Sequence, residues 1–250
     1  MPTLLLDCGP KPGCTGVLGT TLREYGHRTK VVRVAPATGT ADPLPPDLDD
    51  VDAIVLADGP QTLASAPPAW AERAMELVRE AHARQTPILG LGFGARLLAK
   101  ALGGELAAEP CTGWLETTLS PVGREDPLFK GLPWTLGQVL WQQESIAKLP
   151  DGATPYATSA GAPGRPKAVR GFSAGVFAFG FEHQWWLDGA AFEMLVGSRR
   201  DLGDASALHA AWKTHGAMSM HYGRRIAESV ALYLMPIDRV NAGRVKDLHY

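Results

Sequence analysis

The chain has 250 residues, of which 45% are hydrophobic and 20% charged, the balance of a globular domain with enough apolar side chains for one substantial core. A formal net charge of −2, with no basic run longer than Arg199-Arg200 or Arg224-Arg225, gives no electrostatic reason to expect nucleic acid or an anionic membrane as a partner. No window approaches the ~18 continuous apolar residues of a membrane span, no basic-then-apolar leader opens the chain, and three cysteines (Cys8, Cys14 and Cys111) make no disulfide framework, so a reducing, cytoplasmic setting is expected.

In chain order, Thr3–Asp7 is an apolar run of strand length. Val17, Leu18, Thr21, Leu22 and Tyr25 mark one face of a helix that stops at Gly26. Thr29–Val34 is β-rich, and a proline-rich loop spans Pro36–Pro46. Asp52–Ala57 predicts a buried strand closing on Asp58-Gly59-Pro60, and Trp70, Ala74, Leu77, Val78 and Ala81 then line a helix. Ile88 and Leu89 begin a short strand that runs into Gly90, Gly92 and Gly94, followed by a helix carrying Leu97, Leu98, Ala101 and Leu102 on one side. This alternation predicts an α/β domain built on a mostly parallel sheet.

The second half predicts antiparallel structure. Gly113–Ser120 and Gly137–Trp141 are expected strands, and Ala168–Arg170 with Gly175–Phe181 a hairpin turning at Gly171–Ala174. A helix is expected over Tyr222–Leu234, ended by Pro236. On this reading residues 1–236 form one domain and 237–250 a polar tail or partner-docking segment.

The stretch Pro87–Gly104, strand then tight glycine turn then helix, has the layout of a nucleophile elbow, which holds its central residue up at the carboxyl edge of a sheet. The central residue is Gly92, so this elbow presents no side chain. Cys111, in a Pro-Cys-Thr-Gly loop soon after the elbow helix, could reach the same cleft, although a thiol without a mapped histidine is more often structural. Cys8 and Cys14 are too widely spaced for a Cys-x-x-Cys knuckle. His209, His215 and His221 fall at steps of six, a turn of about 240° on a helix, so they share no face and predict no metal site. Trp185-Trp186 are expected to pack against the sheet.

The elbow and its flanks resemble the class I glutamine amidotransferase domain, in particular stand-alone members similar to the glutaminase part of GMP synthase. Residues 51–60, Val-Asp-Ala-Ile-Val-Leu-Ala-Asp-Gly-Pro, look like that family's strand ending in Ser-Gly-Gly-Pro. Leu97–Gly104, Glu125–Pro133 and Lys167–Arg170 resemble further family segments. The resemblance implies a flavodoxin-like fold of three layers: an open, mostly parallel sheet with helices on both faces, plus a small antiparallel portion. It also implies a Gly-x-Cys-x-Gly-x-Gln elbow whose thiolate attacks glutamine, with a His-Pro-Glu segment as base and orienting carboxylate. Carried over residue by residue, the nucleophile position is Gly92, the base position Glu182, the orienting position Gln184 and the elbow glutamine Arg96. Gly59 and the N–H of Phe93 match the oxyanion donors, while Asp58 stands where the family has glycine and brings a negative charge to a site that should stabilise one.

By the family mechanism no residue of this triad is catalytic, and no metal or cofactor is expected. Asp58, Gly59, Phe93, Arg96, Glu182 and His183 are the expected lining of an altered ligand pocket, with Arg96 pairing Glu182 or Asp58. The resemblance then implies a non-catalytic protein that binds or scaffolds a synthetase-type partner enzyme, its own copy or a small ligand. Two alternatives stay open: an enzyme with relocated chemistry using Glu182 as base, and a glutaminase using another thiol such as Cys111.

Overall fold

The computed structural model describes residues 2–9, 15–160, 167–198 and 205–235; the expected tail, the helix stop at Pro236 and Cys14 lie outside them. The first half alternates as read from the sequence: β1 (Thr3–Asp7), α1 (Gly16–Glu24), β2 (Thr29–Arg33), β3 (Ala53–Leu56), α2 (Ala71–Ala83), β4 (Ile88–Leu91) and α3 (Phe93–Ala101). The remainder is β5 (Glu105–Ala107), β6 (Cys111–Leu119), α4 (Pro121–Glu125), β7 (Thr135–Gln142), β8 (Ser145–Lys148), β9 (Thr154–Ser159), β10 (Ala168–Ser173), β11 (Ala178–Phe181), α5 (Gly189–Ser198) and α6 (Ser206–Ser229). Among the described residues the main sheet runs β2-β1-β3-β4-β11-β10-β9-β6-β7, parallel from β2 to β11 and antiparallel from there outward. The antiparallel strands thus extend the same sheet, and among the described residues β5 and β8 stand apart as a small antiparallel pair.

Period-two alternation along the strands separates two cores. Leu4, Leu6, Ile54, Leu56 and Ile88 face the layer of α2 and α3, while Val55, Leu89, Leu91 and Phe181 face α1, α5 and α6. Helices therefore cover both faces, the three-layer arrangement expected. Trp185 and Trp186 are fully buried in the second core, Trp185 edge-on to Phe181 at 5.8 Å between ring centres.

Two sequence expectations are corrected. The β10–β11 hairpin does not turn at Gly171–Ala174, because Gly171 pairs with Phe181 inside the ladder and leaves room for the Phe181 ring and the Ala157 methyl. The chain turns instead around Gly175, which adopts φ 73°. The long helix does not begin at Tyr222 but at Ser206, and its final turn, Val230–Leu234, is a π-helix. Its buried stripe includes Gly216, Ser219, Gly223 and Ala227, small residues that bring the helix close to its neighbours without an apolar signal in the sequence. A Cβ on Gly223 would overlap the carbonyl oxygen of Trp185. Gly223→Leu is therefore expected to destabilise the fold by about 1–3 kcal/mol or more, read as a lowered thermal midpoint, whereas Gly197→Leu, where a Cβ meets nothing within 4 Å, leaves it nearly unchanged.

Candidate functional site

The elbow forms where β4 passes into α3. Gly92 sits at φ 53°, ψ −110°, a conformation costly for any residue with a Cβ, and donates its N–H to the Phe181 carbonyl at 2.7 Å. The flanking glycines serve packing: a Cβ on Gly94 would overlap the backbone of Leu56, and one on Gly90 would press on Gly94 and Ala95. Helix α3 is thereby seated directly on β3 and β4, with its N-terminal N–H groups at the carboxyl edge of the sheet.

Asp58, two residues past the end of β3, fills this edge. Its Oδ1 accepts the N–H of Gly59 at 2.8 Å and the N–H of Phe93 at 2.7 Å. Its Oδ2 accepts from Nε2 of Gln184 at 3.4 Å. A carboxylate receiving backbone N–H groups at a helix N-terminus is held by charge-assisted bonds and the helix dipole together. A Cβ on Gly92 would overlap this carboxylate, so the space a side chain at residue 92 would use is already taken by Asp58.

Gln184 and Glu182 extend from the end of β11. The Gln184 amide clasps the backbone of Trp141, accepting its N–H at 3.1 Å and donating to its carbonyl at 3.2 Å, and so fastens Asp58 to β7. Glu182 lies buried with both carboxylate oxygens engaged: Oε2 with Nη1 of Arg170 at 3.0 Å and Oε1 with the N–H of Ile146 at 3.0 Å. Burial raises its pKa, against the opposing charges of Arg96 and Arg170 and the Ile146 N–H. Arg96 donates from Nη1 to Oε1 of Gln142 at 3.2 Å, and Arg170 makes an ion pair to Glu182 at 3.0 Å. Arg96 is itself fully buried and acts on Glu182 through its charge. Arg170 falls in a segment that resembles the family and Gln142 just past the expected strand Gly137–Trp141, but neither position announces these side-chain partners.

Glu144 is a further residue the sequence does not announce. Its carboxylate, buried between β7 and β8, accepts the N–H groups of Leu63, Ala64 and Ser65 at 2.7, 2.8 and 3.3 Å. Lys100 adds a bond from Nζ to the Leu63 carbonyl at 2.6 Å. Together they clamp the loop that follows Gly59 at residues 63–65.

Of the remaining candidates, Cys111 lies within electrostatic reach of Arg170 and Glu182, while Cys8 and the three helix histidines lie elsewhere. Burial raises the pKa of Cys111, opposed by Arg170 and reinforced by Glu182, so its thiol stays protonated at neutral pH. Cys8 is buried, with its thiol against the Leu6 carbonyl. His215 stacks on Trp114, His209 lies edge-on to Phe192 and His221 lies against Tyr222, three separate neighbourhoods. Among the described residues no three His, Cys, Asp or Glu side chains are grouped to hold a metal.

His183 points its Nδ1 at the Arg170 carbonyl, 3.0 Å away, and burial lowers its pKa from 6.5 to about 4. The unfolded chain therefore takes up this proton first as the solution is acidified. Stability is expected to be fully present above pH 6.5 and to fall between pH 6.5 and 4, by up to about 3 kcal/mol from this group. Denaturant titrations across that window should show a shallower pH slope in His183→Asn.

Comparison with known proteins fits this geometry. Residues 4–171 match the family model described as glutamine amidotransferase class-I. The GMP synthase [glutamine-hydrolyzing] of Thermotoga sp. (strain RQ2) is 31% identical over 113 residues, 45% of this chain, and this chain spans only 21% of that protein's length. The glutamine amidotransferase-like protein YfeJ of Salmonella typhimurium is 30% identical over 171 residues, covering 65% of this chain and 68% of its own. In fold, the glutamine amido transferase of Methylobacillus flagellatus superposes with a TM-score of 0.76 at 20% identity, over 100% of this chain and 98% of that one. With two thirds of its length matched by the family model and the full layered architecture in common, the chain belongs to the class I glutamine amidotransferase family.

Proposed function

We propose that this chain is a non-catalytic member of its family, a binding or scaffold subunit rather than a glutaminase. The observation that carries this reading is the Asp58 carboxylate on the N–H groups of Gly59 and Phe93. Those two donors match the pair that would stabilise the oxyanion of a tetrahedral intermediate, and a negative oxygen already satisfies both. Gly92, at the position matching the family's cysteine, has no nucleophile to offer. Glu182 and Gln184, at the positions matching base and orienting carboxylate, spend their polar atoms on Arg170, Ile146, Trp141 and Asp58. Arg170 and the Ile146 N–H hold both oxygens of Glu182, which weighs against Glu182 as a base on relocated chemistry. Arg96, Glu182 and His183 belong on this reading to a buried polar lattice.

The Thermotoga relative supports the kind of partner proposed. There a segment like this one is part of a much longer protein whose name couples glutamine hydrolysis to GMP synthesis, so a synthetase-type enzyme is the proposed partner. Affinity purification of the tagged protein from its native cells should recover such an enzyme. A chain always recovered alone and monomeric would refute the partner role.

Incubation of the purified chain with glutamine is expected to release no ammonia above buffer, with or without thiol alkylation. Ammonia release abolished by alkylation would overturn the reading and assign activity to a thiol such as Cys111. Gly92→Cys alone is expected to destabilise the fold by about 2–4 kcal/mol, from overlap with Asp58 and from its backbone conformation. Asp58→Gly is itself expected to destabilise by stranding buried donors, but in a double-mutant cycle the two losses should be less than additive by at least about 1 kcal/mol, because the overlap is removed. The double variant should still hydrolyse no glutamine, because residue 182 supplies no histidine.

A further inference from the structure

β2 is the outermost strand of the sheet, and its alternate residues Thr29, Val31 and Arg33 face the same side as Leu5 and Asp7 of β1. Helix α1 covers β1 and β3 on that side and leaves β2 open, so that Val31 is 46% exposed. Between helix and strand lies a cleft of about 190 Å3. Val31 and the partly exposed Leu5 form its apolar side, above the buried Leu18, Leu22 and Val55 of the core.

Polar groups gather on this cleft in a particular way. The Arg23 guanidinium folds back along α1 and donates from Nη2 to the Thr20 hydroxyl at 3.2 Å, its Nη1 passing 3.7 Å from where Gly19 would carry a Cβ. Arg33 reaches the cleft from the end of β2, with Thr15 and Asp7 beside it. Among the described residues neither guanidinium makes an ion pair, although the charge of Arg33 is felt by Asp7. Asp7 accepts the Gly9 N–H at 3.1 Å; burial raises its pKa, opposed by that bond and by the charge of Arg33.

We propose that this cleft binds a small amphipathic carboxylate, with its anionic group on Arg23 and Arg33 and its apolar body on Leu5 and Val31. An apolar cavity of roughly 150 Å3 accommodates benzene; the cleft therefore has the room for one ring or branched aliphatic body bearing a single charged group. The cleft is built on β1 and β2, two strands removed from the elbow strand β4, so its ligand does not depend on whether the elbow is inert.

The test is titration of the full chain with benzoate, benzamide and inorganic phosphate, followed by ligand-observed NMR and calorimetry. Benzoate is expected to bind saturably, and the neutral benzamide about tenfold more weakly or not at all. Arg23→Ala and Arg33→Ala should each weaken benzoate about tenfold. Val31→Trp should abolish binding by filling the cleft from its exposed side, with an unchanged circular dichroism spectrum reporting that the chain is folded. Absence of saturable benzoate binding to the unmodified chain would overturn the proposal. So would binding that all three variants leave untouched, and so would phosphate binding as well as benzoate, which would mark a plain anion site without use of the apolar walls.

Discussion

One carboxylate ties together the three elements that meet at the edge of this sheet. Asp58 follows β3, Phe93 begins α3 and Gln184 follows β11, and the two oxygens of Asp58 bond to the N–H of Phe93, the N–H of Gly59 and the amide of Gln184. Each partner is buried, so removing the acceptor would leave amide donors in a region with little access to water, at a cost of about 1–3 kcal/mol per donor. The Gln184 amide carries the constraint on to β7 through Trp141, and Glu144 holds the loop beyond Gly59 against the β7–β8 corner. An arrangement of this kind rigidifies an edge that a glutaminase would need to keep open for substrate, which is the physical content of the scaffold proposal.

Much of the architecture is legible in the residues. β3 and β4 read as short continuous apolar runs because both faces of each are covered, and α2 shows its buried stripe of Ala74, Leu77, Val78 and Ala81 plainly. The elbow is visible for a local reason: three alternating glycines between a strand and a helix mark a tight turn where backbones approach closely. What escapes is structure set by distant partners. β5, β8 and β9 are short and partly polar, and α6 packs through glycine, serine and alanine, so neither carries the periodicity that marks an amphipathic element.

The polar lattice divides along the same line. Asp58, Gly59, Phe93 and Gln184 come together near Gly92 because they follow β3, β4 and β11, adjacent parallel strands whose carboxyl ends lie side by side, and the resemblance makes those positions legible. Arg170, Gln142 and Glu144 belong to the antiparallel half, where register decides which side chain meets which, and register is not a local property of sequence. Arg96 shows the limit well: a cation buried beside carboxylates can be anticipated, but the hydrogen-bond partner that received it, Gln142, cannot.

Gly92 keeps the left-handed backbone of an elbow although it carries no attacking atom. The cause lies beneath it, where Gly94 rests on the Leu56 backbone and Gly90 on the first turn of α3. The bend is thus a joint of the scaffold, imposed by how closely a helix must follow its strand. A chain built this way has only two choices at the apex: glycine, at ease, or a larger residue held under tension for some use. Chemistry in such folds borrows a posture that the architecture would adopt in any case.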